Sequence, residues 1–83
     1  METPENPRNY VASAFDSVDL ISKTIESTGS TIEMKLDILK RNKEHLEIMM
    51  GKQWFMDVLI NDEGNRIQTS ISDAENFISS HGG

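Results

Sequence analysis

The side chains best placed to do chemistry in this sequence surround His45, which stands between Glu44 and Glu47. An imidazole beside two carboxylates is raw material for a metal site or an acid–base pair. The spacing opposes both. Residues one and two apart do not share a helix face, whereas metal-binding helices place their ligands three or four apart. His45 is therefore read as a partly buried polar residue beside Asn42 and Met49, and His81, in a Ser-Ser-His-Gly-Gly tail, as solvated. The run Asn61-Asp-Glu-Gly-Asn65 has the composition of a calcium loop, but Gly64 would need an acidic ligand five residues earlier, and Leu59 stands there. The serines, among them Ser13, Ser22, Ser70 and Ser80, have no base at a spacing that would activate a nucleophile, and there is no Cys to supply a thiolate or a cysteine zinc site. No catalytic, metal or cofactor-binding residue is expected, and no cofactor.

What remains is chemistry of contact. The stretch Arg41-Asn-Lys-Glu-His-Leu-Glu-Ile-Met-Met-Gly-Lys-Gln-Trp54 holds two adjacent methionines and the single tryptophan. Methionine and tryptophan suit protein–protein surfaces, the first by adaptability and the second by area. Leu39, Asn42, Leu46, Met49, Met50 and Trp54 are the candidate interaction residues, with Asn42 placed where a polar group between apolar sectors can fix register.

These residues need helices to position them. Val11, Ala14, Phe15, Val18, Ile21 and Ile25 recur at intervals of three and four, predicting a helix over about 9–28 behind a polar lead-in at 1–8 that holds both prolines and could start a helix near Pro7. Gly29 offers a stop, and Ser30 with Glu33 forms a capping-box pattern for the next helix, about 31–50. Within it Ile32-Glu-Met-Lys-Leu-Asp-Ile38 alternates as a half-buried strand would, but good helix formers, the absence of proline and later helical spacing favour helix. Ile32, Leu36, Leu39, Leu46, Met50 and Trp54 gather on one side, while Met34, Ile38, Ile48 and Met49 form a second apolar sector. A helix apolar over so wide an arc calls for neighbours on two sides. The charged remainder is Glu33, Asp37, Lys40, Glu44 and Glu47, with Lys40–Glu44 and Lys43–Glu47 spaced to pair. Trp54-Phe-Met-Asp-Val-Leu-Ile60 reads either as a short helix or as an extended connection. Ile67, Ile71, Ala74, Phe77 and Ile78 predict a third helix over about 65–80, stopping at Gly82-Gly83.

The fold class expected is all-α, three helices with a C-terminal helical hairpin, forming one domain over 9–83. A chain of 83 residues without Cys has limited means of stabilising a small core, so completion by oligomerisation is expected. Eight Lys plus Arg against fourteen Asp plus Glu leave a net charge of -6, which repels nucleic acid and anionic membranes. No spanning apolar run and no signal peptide are visible, so a soluble cytoplasmic protein is expected. The expected partner is a second copy or another protein, with no nucleic acid, membrane or small-molecule substrate.

Arg41-Asn42, His45-Leu46, Ile48-Met49, Lys52 and Trp54, followed by a turn and then Ile71, Ala74 and Phe77-Ile78, resemble a group of small bacteriophage-encoded helical-hairpin proteins. The likeness covers roughly the C-terminal half, and the dense Phe55 to Ile60 run departs from it. It implies a helical hairpin in the host cytoplasm or the virion and assigns no functional residue. Two readings follow. In the first, a non-enzymatic protein self-associates through the face bearing Leu46, Met49, Met50 and Trp54, as a phage structural or assembly component. In the second, an acidic inhibitor uses Glu33, Asp37, Glu44 and Glu47 as a phosphate mimic against a basic site on a host nucleic-acid-handling enzyme.

Overall fold

The computed structural model describes residues 3–82, so Met1 and Glu2 of the expected lead-in and Gly83 of the expected stop lie outside the described residues. Four helices follow one another: α1 (Pro7–Glu26), α2 (Ile32–Met50), α3 (Gln53–Val58) and α4 (Glu63–Ser80). There is no β-strand among the described residues, so the fold is all-α. The Ile32 to Ile38 alternation sits wholly inside α2. Length decides this: the helical pattern carries through to Met50, and an isolated strand would have had no partner to satisfy its backbone.

Local chemistry sets the ends. α1 starts at Pro7, two residues before the expected boundary, because proline in the first turn loses no intrahelical hydrogen bond and has a preset φ. It stops at Glu26, two residues early, where Ser27 turns extended. The cap of α2 is Thr31 rather than Ser30: its Oγ1 accepts the Met34 N–H at 3.2 Å, while Ser30 Oγ lies 3.3 Å from Ser27 Oγ. α4 opens at Glu63, two residues before the expected start. Ahead of it Asn61 has a φ of 53°, a left-handed conformation that asparagine tolerates better than branched residues do.

The three long helices pack pairwise into a bundle of 39 × 19 × 19 Å, and α3 closes one end against α1 and α2. Val11, Ala14 and Ile21 from α1, Leu39, Leu46 and Met49 from α2, Phe55 from α3, and Ile67, Ile71 and Ala74 from α4 form one core. The sequence counts three helices, and the structure adds α3 as a fourth. The most extensive interface joins α1 to α2, so the expected C-terminal hairpin is an α2–α4 pair whose corner α3 turns.

One cation lies inside this frame. Lys35 is buried, yet its ammonium donates to the carbonyl of Ser27, the residue that ends α1, and stands 5.8 Å from the centre of the Phe77 ring. A carbonyl left without a helical partner thus meets a charge that would otherwise have none. Lys35 fastens the α1–α2 turn over α4.

Candidate functional site

The candidate interaction residues are part of the chain's own packing. Leu39 and Leu46 have no exposure and Met49 has 5%. Met50 and Trp54 are partly buried against the same core. The Trp54 indole meets Tyr10 edge-on with centroids 5.3 Å apart and Phe55 at 6.1 Å. Asn42 donates from Nδ2 to the Ile38 carbonyl at 2.8 Å, a bond within its own helix that specifies no partner. The face reserved for a second copy is therefore occupied by α1, α3 and α4. Of the two apolar sectors of α2, this chain covers that of Leu39 and Leu46 and leaves Met34 and Ile48 of the other outside.

His45 is half-buried and Glu44 exposed, and Glu47 accepts from Lys43 at 3.0 Å. Among the described residues, no three His, Cys, Asp or Glu side chains are grouped to hold a metal. His81 is exposed but anchored: its Nδ1 lies 2.9 Å from the Phe77 carbonyl, so that nitrogen carries the proton, and its ring stacks on Phe77 at 4.1 Å.

The acidic stripe is half neutralised. Asp37 pairs with Arg41 at 2.7 Å, and Lys43 bridges Glu47 to Glu75 of α4 at 3.0 and 3.5 Å. The hydrogen bond to Glu47 is the main reason the Lys43 ammonium is held above its ordinary value. Of the two expected pairs Lys43–Glu47 forms, and the other ion pair along α2 among the described residues is Asp37–Arg41 rather than Lys40–Glu44.

Sequence reading missed the most elaborate polar cluster, which ties the start of α1 to the α3–α4 turn. Arg8 donates through one guanidinium nitrogen to the Val58 carbonyl at 2.9 Å and to Glu63 Oε1 at 2.7 Å, and through the other to Glu63 Oε2 at 3.0 Å. Glu63 Oε1 also accepts the Ile60 N–H at 2.9 Å. The segment with calcium-loop composition thus gives its carboxylate to an arginine. That bidentate bond, then the Ile60 N–H, lowers the Glu63 carboxyl from 4.5 to about 2.

A depressed carboxyl gives stability that is complete above its unfolded value and disappears as pH falls through the folded one. Arg8→Met is therefore expected to melt below the wild type at neutral pH. The gap should narrow between pH 4.5 and about 2, where the wild-type carboxyl takes up its proton. Thermal melts at stepped pH check this, and a gap that persists unchanged at pH 2 contradicts it.

Exposed apolar side chains occur on α1, at Tyr10 and Leu20, on α3 at Met56, at Ile60 after it, and on α2, where they fall into a line. Met34 and Ile48 are 55% and 53% exposed, and Ile38 and His45 between them are half-exposed. With exposed Arg41 they follow spacings of four, three, four and three, the repeat of a helix–helix seam. Arg41, at the middle of the seam, carries its counter-ion Asp37 with it.

These features define a class: a small all-α bundle with a closed core, one long-range arginine–glutamate clamp, and an apolar seam on the outside of its second helix. Beyond the class, no known protein family, no curated protein and no solved structure matches the chain.

Proposed function

We propose that this chain is a non-enzymatic helical protein that acts by binding proteins, a second copy first among them, through the outer face of α2. The observation that carries the reading is the seam from Met34 to Ile48, where two large apolar side chains stand more than half exposed at helix-pairing spacing. The seam runs about 21 Å along the helix axis, long enough for two heptads of contact with another helix. Leaving apolar area of this kind in water gives up roughly 25 cal/mol per Å², which association recovers. In the setting implied by the phage resemblance, such a unit acts as a structural or assembly component.

Light scattering over a wide concentration range tests the reading. The wild type is expected to rise above the mass of one chain. Met34→Glu with Ile48→Glu should stay monomeric while keeping its helical circular dichroism, because exposed substitutions cost the fold within about 0.5 kcal/mol. A wild type that holds the mass of one chain at every concentration overturns self-association.

A further inference from the structure

The bundle has a second unoccupied face, independent of the α2 seam. Of the three long-helix pairs, α1 and α4 share the least extensive interface. The two run in the same direction, since Arg8 meets Glu63 near their starts and Arg66 covers the Phe15 ring at 4.7 Å further along. Between them lie two depressions, of ≈ 410 and ≈ 330 Å³, that share Ser22 and Asp73 and so make one continuous groove. Val18, Ile25 and Phe77, partly buried against the core, contribute apolar surface to it.

We infer that this groove seats a basic amphipathic helix from a partner protein, completing a four-helix arrangement. Three observations converge on that occupant. The groove lining extends from Asn65 of α4 to His81 just past its end, which corresponds to about 24 Å, or four to five turns of helix. Val18 of the smaller depression and Ile25 of the larger stand seven residues apart on α1, the spacing of apolar anchors at i and i+7 of a docked helix. The charge of the larger depression is one-sided: Glu26 and Asp73 line it with no Lys or Arg, neither carboxylate belongs to an ion pair among the described residues, and Arg66, the one cation of the smaller depression's lining, is held over the Phe15 ring at the far end of the groove.

A second copy fits poorly, because a chain of net charge -6 would bring further acid to that rim. An arginine or lysine helix brings the complement, with its apolar face on Ile25 and Phe77 and its cations at Glu26 and Asp73.

The test uses the full chain and a capped synthetic helix of about 18 residues with leucines on one face and arginines flanking them. One control scrambles its sequence so that the leucines share no face, and another replaces the arginines with glutamates. The first peptide is expected to shift the backbone NMR resonances of Ser22, Ile25, Asp73 and Phe77, and both controls to leave them in place. Glu26→Lys with Asp73→Lys should weaken binding roughly tenfold or more. Both positions are exposed, and circular dichroism of the variant verifies the fold. Should the reversal disturb it, Glu26→Gln with Asp73→Asn serves, with a smaller loss expected. The inference is overturned if the scrambled peptide binds as tightly, if the shifts map to Met34 and Ile48 instead, or if folded rim variants bind unchanged.

Discussion

Phe55→Ala is expected to destabilise the protein by about 3–5 kcal/mol, the range for removing a fully enclosed phenylalanine from a core. Phe55 has no exposure and is the one buried residue of α3, a helix of six residues. So short a helix has no stability of its own in water and exists because it is docked. The ring is what docks it, against α1 and α2, with the Trp54 indole at an edge-on angle of 78° beside it. Losing the ring should release α3, open one end of the bundle and lower the Tm by at least about 12 °C, taking the usual 4–8 °C per kcal/mol for a domain this small. Phe55→Leu, which keeps most of the volume, should cost less than half as much. Thermal unfolding followed by circular dichroism measures both. An alanine variant within about 1 kcal/mol of the wild type would mean that α3 does not hold the end of the bundle.

Leu46→Asp carries the next large effect and separates core from interface. Leu46 is wholly enclosed between helices of the same chain. An aspartate there forfeits the leucine's burial and adds the cost of a carboxylate without a partner, each a matter of several kcal/mol. Together they reach the lower part of the about 5–15 kcal/mol that holds native proteins together, where a domain this small belongs. The expected product is an unfolded chain at neutral pH, visible as loss of helical circular dichroism. Met34→Asp, on the outer face of the same helix, should stay folded and alter only association. If Leu46→Asp gave a folded monomer, Leu46 would belong to an interface between chains after all.

The three long helices were legible because their core residues keep a helical period: Val11, Ala14 and Ile21 in α1, Leu39, Leu46 and Met49 in α2, and Ile67, Ile71 and Ala74 in α4. α3 was not, because six residues are too few for a period to declare itself and Trp54, Phe55, Val58 and Leu59 are apolar on more than one side. Their i, i+4 spacing was the available signal. The breadth of apolar surface on α2 was legible, but a linear reading cannot tell whether another chain or a later segment covers it. Here α1 and α4 cover the sector of Leu39 and Leu46 and leave Met34 and Ile48 outside. Nothing nearby in sequence announces the Ser27 carbonyl as the partner of Lys35. Arg8 falls in what the sequence presents as a polar lead-in, and its partner lies 55 residues on. Even the width of the α1–α4 groove depends on side-chain packing that periodicity does not encode.

The Arg8–Glu63 clamp also orders events in time. Helices and the α1–α2 turn form from neighbours in sequence, which is fast, whereas a bond spanning most of the chain waits until both ends are already in place. An interaction absent from the folding transition state leaves the folding rate almost untouched and acts on the rate of unfolding. Arg8→Met is thus expected to shorten the lifetime of the assembled bundle and to leave the speed of its formation nearly unchanged, which stopped-flow folding and unfolding rates measure.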